Sequence, residues 1–222
     1  MTLDGPEGSG KSTQARWLVQ WLKRQGYRVT FVRDPGSTSL GRALRQVLLH
    51  STAPLSPLAE ALLFIGGRVQ LVEEKIRPAL AKGRVVVCDR FHDATIVYQG
   101  YAGTLDVPWL QQLGRRAIGG TMPDLTLVLD VPPRIGFSRL KRSRDRMERK
   151  PLSYHRRVRA GYLALARREP LRINVVDATP PAQRVRNRIT ALAGKRVAQV
   201  ANWPSGQTLT GPPGHPATGP LR

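Results

Sequence analysis

The sequence holds one cysteine, four histidines, and only 15 acidic residues against 36 Lys and Arg in 222 positions. Cys88 sits inside the apolar run "VVVCDR". A lone thiol allows no disulfide framework, so a reducing compartment is expected and the side chain should pack as a small hydrophobe. No apolar stretch approaches the roughly 18 residues of a membrane span, and no signal-peptide pattern opens the chain. A soluble cytoplasmic protein is the expectation. The shortage of acids leaves a formal net charge of +21, which would attract any polyanion. Aromatics, however, are only 6% of the chain, and the densest basic stretch, Arg139 to Arg159, contains Tyr154 alone among them. Unstacked basic residues suit small phosphorylated ligands better than base reading, so no specific nucleic-acid partner is expected.

What the sequence does contain begins at its fifth residue. Gly5-Pro6-Glu7-Gly8-Ser9-Gly10-Lys11-Ser12, followed by Thr13, fits G-x-x-x-x-G-K-[ST]. Glycines at these positions permit positive φ and turn backbone N–H groups inward around an anion. Lys11 can reach β- and γ-phosphates, the Ser12 hydroxyl can ligate Mg²⁺, and the following helix adds the positive end of its dipole. Ala15, Leu18, Val19 and Leu22 recur at helical spacing directly afterwards, as such a loop requires. Together these residues describe a nucleoside triphosphate site.

Strand signals fall at 27–33, 84–89, 125–131 and 172–177, and helical periods at 12–25, 40–49, 57–82, 107–118, 133–142, 152–168 and 181–193. Continuously apolar strands alternating with helices predict one doubly wound α/β domain with a parallel sheet, spanning 1–197. From Ala198 the Pro- and Gly-rich composition predicts a disordered tail over 198–222, and cutting after Arg196 is expected to cost neither activity nor melting temperature. One strand is short of residues. A phosphate loop hangs from a buried strand, yet only Met1 to Asp4 precede Gly5. Either Thr2–Asp4 pairs as a stub or the true start lies upstream, the latter being the expectation. Asp89 follows the strand at 84–89, at the carboxyl edge where open α/β sheets keep ligands, and suits the carboxylate that holds the Mg²⁺ shell.

At this point the chain resembles the bacterial thymidylate (dTMP) kinases. The likeness rests on "GPEGSGKST", "RDPGST", "AEALLFIGGRVQ", "IRPALAKG", "DRFHDATIVYQG", "PDLTLVLDVPP", "DRMER" and "HRRVRAGYLALA", in that order along the chain. The resemblance implies a P-loop fold with a five-stranded parallel sheet, a short mobile basic lid over about 139–151, and a homodimer. It implies transfer of phosphate from ATP, with Mg²⁺, to dTMP, a step toward dTTP for DNA replication. Within it Gly5 to Thr13 would bind ATP. Glu7 would accept a hydrogen bond from the sugar hydroxyl, Arg33 and Arg90 would clamp the dTMP phosphate, Pro35 would belong to the dTMP site, and Thr95, Tyr98 and Gln99 would line the base and sugar. Phe64 would stack on thymine, and Arg68, one helical turn along, would bond the base edge. Lys11 and Arg90, with Arg142, Arg144 and Arg146 of the lid, would stabilise the transferring phosphoryl group; Ser12 and Asp89 would hold the metal. Ala94, Gly67 and Asp34 depart from the family pattern, and Gly8 stands where some relatives carry an Arg. Another nucleoside monophosphate kinase and a basic P-loop protein that binds nucleic acid are the competing readings.

Overall fold

The computed structural model describes residues 1–52, 54–141 and 144–201. Its sheet has five strands, β1 (Thr2–Asp4), β2 (Val29–Arg33), β3 (Val85–Asp89), β4 (Thr126–Asp130) and β5 (Ile173–Asp177), in the order β2-β3-β1-β4-β5 and parallel throughout. The short run before the phosphate loop is therefore the central strand. Thr2 lies opposite Cys88 on one side and Thr126 on the other. Its pairing is extended by Cys88 N–H to Met1 O at 3.1 Å, Arg90 N–H to Leu3 O at 3.0 Å, and the Met1 ammonium to Val86 O at 2.9 Å. Thr2, Leu3 and Asp4 are all fully buried, so every backbone group they add to the ladder leaves water for a partner.

Helices cover both faces. On one, α1 (Lys11–Arg24) and α9 (Ala182–Ala201) close over Leu3, Leu127 and Leu129 with Leu18, Leu22 and Ile189. The other face carries α2 (Ser39–His50), α5 (His92–Thr95), α6 (Val107–Ala117) and α8 (Leu152–Arg168), packed through Leu48, Ile96, Val97, Leu110, Val158 and Tyr162. The period over 57–82 appears as α3 (Pro57–Leu71), a π-helical turn (Val72–Ile76) and α4 (Arg77–Ala81). Ser56 starts it, its hydroxyl accepting from Ala59 N–H at 3.2 Å with Pro57 just inside, a favourable N-terminal pair. After β4, α7 (Pro133–Ser138) is shorter than the predicted 133–142. A segment without a predicted element, α5 and the π-helical turn Ile96–Tyr101, follows β3.

At the other end, α9 runs through Ala201, and the rest of the tail lies outside the described residues. Val197 is 7% exposed and packs with Val185 and Ile189, while the Arg196 guanidinium donates to Asp124 O and Leu171 O at 2.6 and 2.9 Å. The composition that begins to change at Ala198 does not reveal this, because the core contact precedes it by one residue. A chain ending after Arg196 is accordingly expected to melt several degrees below one ending after Ala201, since a buried Val contributes roughly 1.5–3 kcal/mol. Parallel calorimetric scans of the two chains check this.

Candidate active site

The turn from β1 into α1 places its backbone in conformations closed to most side chains: Gly5, Gly8 and Gly10 have φ of 135°, 68° and 88°. A Cβ on Gly5 would lie 2.4 Å from Leu129 O and one on Gly8 1.8 Å from Gly136 O. The loop is thus pressed between β4 and α7. Lys11 folds back over it, its ammonium donating to Pro6 O at 2.7 Å and to Ser9 Oγ at 3.4 Å. Burial, then the nearby Arg90 guanidinium, pulls the Lys11 pKa down to about 8. A buried, poorly paired ammonium beside inward N–H groups is a strong attractor for polyphosphate.

Asp89 closes β3 directly opposite the loop. Its Oδ2 accepts from Ser12 Oγ at 2.6 Å and from Arg33 Nε at 3.2 Å. Among the described residues no group of three or more His, Cys, Asp or Glu side chains could cage a metal. A hydroxyl and a single carboxylate nevertheless fit Mg²⁺, which keeps waters and completes its octahedron with substrate phosphates rather than with an all-protein cage.

Arg90 is the only residue other than glycine with positive φ, 68°, among the described residues. Such strain persists only where surroundings over-determine it, commonly at functional sites. Here both arms of the guanidinium fork are engaged: Nη1 donates to Gly5 O at 3.2 Å and to Tyr162 Oη at 3.3 Å, while Nη2 meets both Glu7 carboxylate oxygens at 3.0 Å and Tyr98 Oη at 3.1 Å. Burial alone would raise the Glu7 pKa, but Arg90 and Lys11 hold the carboxyl down at about 2. The Tyr98 hydroxyl donates to the same carboxylate, and the ring lies beneath the Arg90 guanidinium carbon, 5.0 Å from its centroid.

The far wall is built by α3 and the segment after β3. Arg68 is 2% exposed; its Nε donates to Asp34 Oδ2 at 2.5 Å and its Nη2 to Thr95 Oγ1 at 2.9 Å. Arg68 Nη1 and Asp34 Oδ1 have no partner among the described residues. With Phe64, Pro35, Tyr98 and Gln99 these side chains share one cavity of about 1120 Å³ with the phosphate loop, Arg33, Asp89 and Arg90.

Sequence reasoning missed two parts of the lining. Arg45 of α2 faces the cavity and donates to Pro35 O at 3.2 Å; burial and then Arg33 lower its pKa. Its signal was available, because Arg45 stands four residues before the buried Leu49 on an otherwise apolar stripe. The loop Ala178–Pro181 after β5 lines the end beside the phosphate loop, held by Arg139 donating to Ala178 O and Thr179 O at 2.8 and 3.0 Å. Its place at the carboxyl end of a strand was the cue. Of the lid arginines, Arg144 and Arg146 are not brought to the loop. Arg144 is exposed and lies over the Phe137 ring at 4.5 Å, Arg146 donates to Glu60 and to Leu48 O, and Arg142 lies outside the described residues.

Asp4, beneath the loop, is fully buried and accepts from Thr2 Oγ1 and Tyr162 Oη, each at 3.0 Å. Burial, and next the Asp93 carboxylate, raise its pKa from 3.8 to about 6. The folded state thus binds a proton that the unfolded chain has lost. Its stability falls as pH climbs from about 4 to 6 and stays reduced above that. Asp4→Asn removes this dependence, so its stability relative to the parent should improve across the same window by on the order of 2–3 kcal/mol. Urea unfolding of both proteins at pH 4.5 and 7.5 measures it.

Comparison with known proteins agrees with this geometry. The family model described as thymidylate kinase matches residues 3–189. The thymidylate kinase of Synechococcus sp. (strain JA-2-3B'a(2-13)) is 47% identical over 197 residues, covering 89% of this chain and 95% of that one. The thymidylate kinase of Deinococcus radiodurans is 43% identical over 198 residues, covering 88% and 96%. Among solved structures, thymidylate kinase from Ehrlichia chaffeensis superposes with a TM-score of 0.71 at 30% identity, over 86% of this chain and 96% of its own.

Proposed function

Because the chain belongs to the thymidylate kinase family, we propose that the cavity beside the phosphate loop holds donor and acceptor nucleotides end to end. The enzyme phosphorylates dTMP to dTDP. The observation that carries the proposed arrangement is the continuity of the phosphate loop with the Arg33, Phe64, Arg68 and Tyr98 wall in one cavity of about 1120 Å³, a volume above the range of most single-ligand pockets.

In this reading ATP lies along the loop Gly5–Thr13, with its base toward the Ala178–Pro181 loop and its phosphates under Lys11. Mg²⁺ held near Ser12 and Asp89 would neutralise charge on the phosphates. The acceptor phosphate is already an anion, so the site needs positioning and charge compensation more than a general base. Arg33, Arg45 and Arg90 supply the compensation from the acceptor side. Phe64 stacks the thymine ring, and the unpartnered Arg68 Nη1 serves its edge. Tyr98, packed against Glu7, fills the space that a ribose 2′-hydroxyl would need. Arg144, which lies over the Phe137 ring of α7, completes the charge when the lid closes.

An ADP-release assay with ATP and dTMP, dUMP, dCMP, dGMP or dAMP tests the reading. Rapid turnover with dTMP, and at least about tenfold slower turnover with the purines and dCMP, is the expected result. Comparable rates with all five would overturn the acceptor assignment.

No helix among the described residues is long and apolar enough to cross a membrane, and the work of the enzyme on ATP and dTMP suits the cytoplasm. A homodimer would form through α3 and α6. These helices pack together and leave Leu58, Leu62 and Trp109 44%, 47% and 42% exposed, an apolar face that a second copy would cover. Leu62→Arg should therefore sediment as a monomer where the parent sediments as a dimer.

A further inference from the structure

Glu60 is an acidic residue in the first turn of a helix, ordinarily a solvated position that complements the helix dipole. Instead it is 4% exposed. Its two carboxylate oxygens are assigned to different elements: Oε1 accepts from Gln99 Nε2 at 2.8 Å, and Oε2 accepts from Arg146 Nη2. Arg146 is itself tied to the end of α2, through Nε to Leu48 O at 2.7 Å and its own N–H to Leu49 O at 3.0 Å. Along α3, Glu60 stands one turn before Phe64 and two before Arg68, on the same stripe, yet only the latter two line the cavity.

A carboxylate accepts hydrogen bonds and cannot donate one. Facing Glu60, the Gln99 side chain therefore has one permitted orientation, NH₂ toward Glu60. The group it keeps for the cavity, which Gln99 lines, is its carbonyl oxygen. An acceptor fixed in that place pairs with a base that presents an N–H, as an imide such as thymine or uracil does, and is repelled by the bare ring nitrogen of cytosine. The geometry points to Glu60 as a positioning residue for base selection: it touches no nucleotide but sets the polarity of Gln99, and the Arg146 guanidinium compensates the buried negative charge that this requires. This assignment rests on the reading of the cavity as a dTMP site and adds to it a determinant outside the cavity wall. It also gives Arg146 a role other than at the transferring phosphoryl group.

The test compares the parent with Glu60→Gln, which keeps the volume but can present either a donor or an acceptor to Gln99. The readouts are dTMP and dCMP affinities by titration calorimetry and kcat/KM for both. The preference for dTMP over dCMP should fall about tenfold or more, a neutral hydrogen-bond mismatch being of that size, with KM for ATP unchanged. Should Glu60→Gln fail to fold, Glu60→Asp, which keeps the charge but falls short of Gln99, carries the same expectation. Arg146→Lys keeps a cation beside the carboxylate and leaves it facing Gln99, so it should keep the parent's preference within about threefold even if it melts earlier. A folded Glu60 variant with the parent's preference would overturn the inference, whatever its melting temperature. Loss of preference in Arg146→Lys equal to that of Glu60→Gln would also overturn it, because the effect would then follow general loosening of the lid base. A parent that binds no dTMP would instead sink the cavity assignment on which the inference stands.

Discussion

Lys11→Ala is expected to lower turnover by about 10³-fold, the scale of removing one well-placed electrostatic donor, while dTMP affinity stays within about threefold of the parent. The division follows from geometry. Lys11 donates its hydrogen bonds to Pro6 O and Ser9 Oγ, both within the phosphate loop, and to none of the side chains on the acceptor wall. Arg90 holds Glu7 through both carboxylate oxygens and exceeds Lys11 among the influences that keep Glu7 ionised. The Glu7, Arg90 and Tyr98 cluster therefore outlasts the loss of the ammonium. Removing a cation whose pKa is already depressed by burial also relieves a desolvation cost, so the variant should melt no lower than the parent. Single-turnover kinetics and dTMP calorimetry on one preparation separate these effects. Equal loss of turnover and dTMP binding would show that Lys11 serves both nucleotides.

How much of this was legible beforehand depended on sequence distance. The phosphate loop reads directly because its chemistry lies in eight consecutive residues, and Asp89 because an acid ends an apolar strand. The sheet followed from four apolar runs, whereas β1 was doubtful because three residues carry no periodicity and only their pairing on both sides makes them a strand. The far cavity wall joins Arg33, the Phe64 and Arg68 pair of α3, Arg90 and Tyr98 from segments far apart in the chain, so no local rule could assemble it, and only the family resemblance named them together. The π-helical turn at Ile96–Tyr101 was invisible because its period differs from the 3.6 residues sought. Glu60 was passed over because a helix-start acid has an ordinary explanation; its burial and its partners, 39 and 86 residues away, exist only after folding. The same holds for Arg146, whose D-R-x-E setting gave no hint that the guanidinium turns toward α3.

The glycine after Glu7 decides how this chain can supply positive charge. Reading Gly8 as a missing arginine suggests that Gly8→Arg would add a catalytic cation. The structure predicts the opposite. Gly8 has φ of 68°, and its added Cβ would lie 1.8 Å from Gly136 O and 2.8 Å from Gly136 Cα. Both are backbone atoms of α7 and cannot swing aside. Contact is mutual, since a Cβ on Gly136 would lie 2.1 Å from Glu7 O, so the loop and α7 meet backbone to backbone through a pair of glycines. Any side chain at 8 must displace α7, and with it Phe137, which packs edge-on against His155 and carries Arg144 on its face. Gly8→Ala alone should cost more than about 3 kcal/mol, combining left-handed strain with overpacking, and Gly8→Arg should be less stable still, with turnover reduced at least a hundredfold. Because the loop has no room for a cation there, the charge must come from segments that can move, which for the described lid means Arg144, one ring removed from α7. Arg144→Ala should then lower kcat about a hundredfold with dTMP affinity unchanged. Higher turnover in Gly8→Arg, measured beside its melting curve, would show instead that α7 yields and that the loop itself can carry the charge.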